Sequence, residues 1–302
     1  MLDVNGNRIM PGGCSAICKA IQGNTTLREI FMSNNFIGPE GAKNVAKVLQ
    51  NKKYITELWL SMNSIFVDGA ISIGEALKDK KYLEVLVLKR NDIGIHGMRA
   101  LKEVLFLSKT IKELNLAGNK IGDEGCIMAC DALLQKTNQS LTYLNLSDNQ
   151  ITCEGANKIA EVIRKCKTLR ELFLSNNKIA NDGARQIATA LKTRKNFQTI
   201  DIDNNKFSGQ AVLELFQIMP VGKLNLVKQK LTDEEARSMS QTISMNKSLS
   251  QIYLSHNELS EVGLGYFADA LAQNRSLTDL YITHNDLSGT NGQRLLSTLK
   301  QK

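Results

Sequence analysis

The feature that most constrains this chain is a pattern, Leu-x-x-Leu-x-Leu-x-x-Asn-x-Ile, that recurs from one end to the other. Its asparagine falls at Asn7, Asn35, Asn63, Asn91, Asn119, Asn149, Asn177, Asn205, Asn257 and Asn285, and Gln229 takes the remaining slot. Successive positions are 28 residues apart as far as Asn119, then 30, 28, 28, 24, 28 and 28 apart. A fixed period of this length means that each unit buries its apolar face only by stacking on its neighbours. The 302 residues therefore predict a single domain, 1–302, of about eleven units mostly 28 residues long, with an incomplete first unit and an irregular one near 219–247.

Each unit opens with a short strand. In Leu169-Arg170-Glu171-Leu172-Phe173-Leu174 the period-2 residues Leu172 and Leu174 face one side and Phe173 the other. A glycine follows the asparagine by six residues in eight units, at Gly13, Gly41, Gly69, Gly97, Gly125, Gly155, Gly183 and Gly263. It opens stretches such as Gly183-Ala184-Arg185-Gln186-Ile187-Ala188-Thr189-Ala190-Leu191, whose apolar residues recur at helical spacing. The asparagine amide both donates and accepts, which suits it to satisfying backbone groups that the turning chain buries between stacked coils. Pro11 and Pro39 are placed in the loops after Ile9 and Ile37. Around Gln229 the stretch Ile218-Met219-Pro220-Val221 shortens the unit, Glu235 replaces the glycine, and a local change of curvature is expected.

Only 5% of residues are aromatic and three are proline, so the core is expected to be Leu, Ile and Ala. Cys14, Cys18, Cys126, Cys130, Cys153 and Cys166 show no Cys-x-x-Cys spacing, and the start Met1-Leu2-Asp3 carries no apolar signal segment. These features predict a soluble protein of a reducing, cytoplasmic compartment, with cytoskeletal, ciliary and nuclear sites left open. No apolar run reaches the roughly 20 residues of a membrane span.

The 28-residue period with Leu-x-x-Leu-x-Leu-x-x-Asn-x-Ile-x-x-x-Gly-Ala resembles the ribonuclease-inhibitor subtype of leucine-rich repeat. That subtype occurs in ribonuclease inhibitor, the Ran GTPase-activating protein, NOD-like receptors and tropomodulin-like actin regulators. The resemblance implies an α/β leucine-rich-repeat solenoid, a horseshoe with parallel strands on its concave face and helices on its convex face. It implies a fold and leaves the function open.

On such a strand the residue between the two core positions points out of the concave face. Unit by unit this residue is Asp3, Phe31, Trp59, Val87, Asn115, Asn145, Phe173, Asp201, Asn225, Tyr253 and Tyr281. Two positions earlier lie Glu29, Glu57, Val85, Glu113, Tyr143, Glu171, Thr199, Lys223, Gln251 and Asp279. Phe31, Trp59, Glu57, Glu113, Tyr143, Phe173, Asp201, Tyr253 and Tyr281 are thus the candidate protein-binding residues, since interfaces favour aromatic anchors. Rings that ladder across strands also stabilise a sheet, and both readings stand. Cations collect where each helix ends, at Lys52, Lys53, Lys80, Lys81, Lys165, Lys167, Arg194 and Lys195, with Lys247 and Arg275. Stacked, they predict a basic rim that meets an acidic protein tail or a nucleic-acid backbone, or is a solvated turn.

Neither a phosphate loop, a dinucleotide fingerprint nor a nucleophile elbow is present in the sequence. His256 and His284 both precede a repeat asparagine and are expected to be neighbours about 5 Å apart in adjacent strands, a pair without a third metal ligand. The pairs Cys14/Cys18 and Cys126/Cys130, one helical turn apart, are expected to pack as small apolar residues. No cofactor, metal or catalytic residue is predicted, and no membrane partner.

The sequence therefore favours a non-catalytic protein-interaction scaffold, a subunit or adaptor of a larger assembly, with nucleic acid ranked below protein. Two alternatives stay open. One is a Ran-GTPase-activator-like regulator of a small GTPase, in which Arg90, alone among arginines in directly preceding a repeat asparagine, is the residue to consider. The family's arginine-bearing loop is not recognisable in this chain. The other is a ligand-sensing repeat region like those of NOD-like immune receptors. The chain begins midway through a strand and ends at Leu299-Lys300-Gln301-Lys302 without a polar cap, so its ends are expected to be covered by neighbouring chains or further sequence.

Overall fold

The computed structural model describes residues 1–135, 140–206, 223–247 and 249–300, in which a repeat folds as one strand, a turn and one helix. The chain divides into two compact units, Met1–Leu169 and Arg170–Lys302.

In the first, the described strands are β1 (Leu2–Asp3), β2 (Glu29–Phe31), β3 (Glu57–Trp59), β4 (Val85–Val87), β5 (Glu113–Asn115) and β6 (Tyr143–Asn145). They alternate with α1 (Met10–Ile21), α2 (Gly38–Gln50), α3 (Phe66–Leu77), α4 (Gly94–Leu107), α5 (Gly122–Leu134) and α6 (Cys153–Lys165). The strands pair in parallel in chain order, and the register sets Phe31 against Trp59, Trp59 against Val87, and Val87 against Asn115. Equivalent residues of successive repeats therefore form columns. The middle residue of each three-residue strand, such as Leu58, is buried, while Glu57 and Trp59 look out of the opposite face.

In the second unit β7 (Glu171–Phe173), β8 (Thr199–Asp201), β9 (Lys223–Asn225), β10 (Gln251–Tyr253) and β11 (Asp279–Tyr281) pair in the same parallel fashion. Its described helices are α7 (Asn181–Leu191), α8 (Asp233–Met245), α9 (Glu261–Gln273) and α10 (Thr290–Lys300). The stretch 218–221, where the short unit predicts a change of curvature, lies outside the described residues. Strand β9 beyond it keeps register with β8 and β10. Glu235, standing where other units have glycine, accepts the Thr232 N–H at 2.9 Å and so caps the N-terminus of α8.

The repeat asparagines are the hubs between coils. Asn63 is fully buried; its amide nitrogen donates to Met32 O at 2.8 Å and Leu60 O at 3.0 Å, and its oxygen accepts the N–H of Asn35 at 3.0 Å. Asn91 and Asn119 repeat the arrangement one unit on each time, and Asn257 serves the second unit in the same way. Gln229 replaces the asparagine only in part: its Nε2 reaches Ile202 O at 3.4 Å, and its buried Oε1 has no partner among the described residues. In the first unit the offset-six glycine leaves room for the repeat isoleucine, which occupies the space of a side chain there. A Cβ at Gly97 would lie 2.3 Å from Cγ2 of Ile93, and one at Gly41 2.5 Å from Cβ of Ile37.

Pro11 and Pro39 are in the first turns of α1 and α2 and not in loops, a correction to the sequence reading. Proline is tolerated there because the first N–H groups of a helix have no intrahelical acceptor. Cys14 and Cys18 are buried with their sulfurs 3.9 Å apart, and Cys126 and Cys130 are buried too, as their helical spacing predicts. The hydrogen bond from Cys18, together with burial, pushes the Cys14 thiol well up.

Candidate interaction surfaces

The candidate protein-binding residues lie on the sheet faces of the two units, and the candidate basic residues at or just after the ends of the helices. On the first unit the rings of Phe31 and Trp59 meet at 5.7 Å, tilted by 58°. The indole N–H of Trp59 donates to Glu57 at 3.0 Å, a bond that holds the ring against its own strand. Glu57 neighbours Glu29 and Val85 in register, and Glu113 neighbours Val85 and Tyr143. All of these side chains are half-buried, so each offers part of its surface to solvent. Val87, expected on the same open face, is only 3% exposed. Its side chain sits in register between the much larger Trp59 on one side and Asn115 on the other.

On the second unit Tyr253 and Tyr281 stack at 4.2 Å with their planes 4° apart, and Lys223 Nζ stands 4.8 Å from the Tyr253 ring. A hydrogen bond from Tyr253 raises the Tyr281 phenol above its ordinary value. Phe173 and Asp201 are register neighbours. Asp203, two residues beyond Asp201, was not singled out by sequence, yet burial first and the Asp201 charge second push its carboxyl up to about 7. Burial also raises Asp201. The backbone N–H of Asp203 donates to Asp201 Oδ1 at 3.3 Å, and Asp203 Oδ1 is a buried acceptor with no partner among the described residues.

Within each unit the residues predicted for the basic rim divide into exposed ones and ones buried wholly or in part. Lys53, Lys81, Lys165, Lys167 and Lys195 are exposed, as are Lys247 and Arg275. Lys52 and Arg194 correct the prediction: they are 0% and 4% exposed. The ammonium of Lys52 donates to Ile21 O at 2.8 Å, to Gln22 O at 3.4 Å and to Asn24 O, so it caps the end of α1 from the next repeat. Burial lowers its pKa. Lys80, half-buried, reaches Gln50 O near the end of α2 at 3.4 Å, and Asn274 in the second unit donates to Ile243 O and Asn246 O at 2.6 and 2.9 Å. Lys52, Lys80, Arg194 and Asn274 share one position of the repeat, and the residue after each is the outward one. Lys109, which follows Ser108 at this place, was missed by sequence; aligning the turns as Lys52-Lys53, Lys80-Lys81 and Ser108-Lys109 supplies the signal.

Four exposed apolar residues of the strand-to-helix turns were also missed. Met10, Phe36, Met62 and Phe66 are 44–54% exposed, and all four have φ between 52° and 60°. His256 and His284 stack at 3.9 Å, closer than a strand spacing. Burial and the neighbouring charge of His284 lower the His256 pKa. Among the described residues no group of three or more His, Cys, Asp or Glu is placed to hold a metal ion, and no helix is long and apolar enough to cross a membrane.

Residues 23–46, 107–128, 137–160, 165–188 and 273–292 match the Leucine Rich repeat family. These five segments are leucine-rich repeats, and the alternating parallel strands and helices have the architecture of a leucine-rich-repeat solenoid. Among solved structures it is similar to the leucine-rich repeat-containing protein LegL7 from Legionella pneumophila, with a TM-score of 0.58 and 16% identity over 100% of this chain and 98% of that one. It also aligns with leiomodin-1 actin-binding site 2 (TM-score 0.37, 14% identity, 59% of this chain and 87% of that one). The tropomodulin C-terminal domain from Caenorhabditis elegans aligns with a TM-score of 0.38 and 14% identity over 58% of this chain and 92% of that one. No curated protein matches the chain in sequence. At 16% identity the likeness to LegL7 is one of fold.

Proposed function

We propose that the chain is a non-catalytic protein-interaction scaffold of the ribonuclease-inhibitor subtype, a subunit or adaptor whose sheet faces dock protein partners. The observation that carries this reading is the Phe31–Trp59 pair with Glu57 bonded to the indole. It sets aromatic anchors and acidic groups on a face where the core needs no filler, the composition that interface hot spots favour. The 28-residue period supports the subtype, and six free thiols support a cytoplasmic setting.

The test is co-purification from the native organism with the wild-type chain beside a Trp59→Ala/Tyr253→Ala variant, read by quantitative mass spectrometry. A stoichiometric protein lost from the variant is the expected result. Retention of every wild-type partner by a correctly folded variant would remove the sheet faces from the proposal.

A further inference from the structure

A cavity of about 390 Å³ opens on the first unit, between the turn that leaves α3 and the turn that leaves α4. Its floor is aliphatic: Leu77, Leu83 and Val104 belong to the core, and the half-exposed Leu107 forms a wall. Lys80, Lys81 and Lys109 stand around it. Lys78 also lines the cavity, but Glu75 and Glu103 hold its ammonium at 2.9 and 2.8 Å and neutralise it. Lys81 and Lys109 are exposed and have no carboxylate partner among the described residues, and Asp79 is the single acid of the lining. The cationic column continues one repeat back at Lys53, beside the exposed rings of Tyr54 and Tyr82, whose centroids are 5.4 Å apart.

We propose that this cavity docks an acidic peptide segment of a partner protein, seating one aliphatic or aromatic side chain on the leucine and valine floor while flanking carboxylates meet Lys81 and Lys109. The site is distinct from the sheet face and does not depend on it. Charge complementarity selects the partner: outward lysines around an apolar floor reward a ligand that is acidic outside and apolar at one point. The same floor disfavours a nucleic-acid base, whose ring nitrogens and exocyclic groups would lie against Leu77, Leu83 and Val104 without partners. The cavity is within the roughly 300–1,000 Å³ range of pre-formed ligand sites and is large enough for a leucine or phenylalanine side chain.

Fluorescence anisotropy with the full chain tests this, using labelled Glu-Asp-Glu-Leu-Glu-Asp-Glu, the same peptide with Ala for Leu, and an oligothymidylate. The leucine peptide is expected to bind with a salt-sensitive affinity, and the alanine peptide about tenfold more weakly, as loss of a buried aliphatic side chain dictates. Lys81→Glu/Lys109→Glu is expected to weaken the leucine peptide by at least roughly tenfold without changing the thermal melt, both residues being exposed. Trp59→Ala is expected to leave peptide binding unchanged, which keeps this site separable from the sheet-face reading. Equal binding of the two peptides, full retention by the double variant, loss of binding in Trp59→Ala, or tighter binding of the oligothymidylate would each overturn the proposal.

Discussion

The side-chain oxygen of Asn91 accepts the backbone N–H of Asn63, one repeat earlier, at 3.0 Å. Through its amide nitrogen the same Asn91 side chain donates to Leu60 O at 2.8 Å and to Leu88 O at 3.0 Å, so two of these three bonds join the buried residue to the preceding coil and one lies within its own. Because each asparagine is both giver and receiver, the ladder has no end inside a run of repeats; removing the Asn91 rung orphans the N–H of Asn63 and leaves Leu60 O and Leu88 O with one amide donor each, from Asn63 and Asn119.

Asn91→Ala is accordingly expected to destabilise the chain strongly. The buried N–H of Asn63 that is left unsatisfied costs about 1–3 kcal/mol, and a loss of that size is expected. Asn91→Asp keeps the shape and the acceptor but cannot donate to Leu60 and Leu88 while ionised, so it too should destabilise at neutral pH. Urea unfolding followed by circular dichroism measures both. A change below about 1 kcal/mol for either would mean that relaxation or water replaces the ladder.

Lys52 and Lys53 are adjacent, yet opposite outcomes are expected for their removal. Lys52→Ala strips a charged donor from Ile21 O, Gln22 O and Asn24 O, and hydrogen bonds to charged groups contribute about 1.5–3 kcal/mol. Lys53→Ala removes an exposed side chain and should alter stability by no more than roughly 0.5 kcal/mol. Equal unfolding midpoints for the two variants would contradict the capping role of Lys52.

Phe66 begins α3 with φ +52°, where Gly38, Gly94 and Gly122 begin α2, α4 and α5 with φ of 62°, 60° and 63°. A bulky residue in that region is strained, by roughly 1 kcal/mol, and this side chain is 45% exposed. Phe66→Gly is therefore expected to raise the melting temperature slightly. A fall of several degrees would show that the ring contributes more by packing than the backbone loses by strain.

Asp203 makes stability depend on pH. Burial and the Asp201 charge raise its carboxyl from 3.8 to about 7, so between roughly pH 4 and pH 7 the folded chain holds a proton that the unfolded chain has released. This contribution is fully present below the unfolded value and is lost as pH rises through the folded one. Asp203→Asn, which cannot ionise, should flatten the decline and be more stable than wild type at pH 8. Parallel urea titrations at pH 5 and pH 8 measure it; identical slopes in wild type and variant would remove Asp203 as the cause.

The period was legible because repetition converts sequence distance into contact. Residues 28 apart become register neighbours, so the columns Phe31–Trp59 and Tyr253–Tyr281, the pairing of His256 with His284 and the work of the asparagines all followed from spacing. The same logic placed Leu58 and Leu172 inward, since alternation along a strand leaves two faces.

What the spacing could not decide lies in the turns, where no period dictates which way a side chain points. Lys52 and Lys53 are chemically identical, and only the open carbonyls at the end of α1 draw the first inward and leave the second in solvent. Asp203 gained its raised carboxyl from burial next to Asp201, and the cavity among Lys80, Lys81 and Lys109 from the separation of two stacked turns. The sequence by itself determined the coil and its columns, because a repeated apolar pattern has one way to bury itself. The tertiary structure alone decided which polar groups of each turn are consumed by neighbouring backbone and which remain for a partner, because that depends on the positions of carbonyls a whole repeat away.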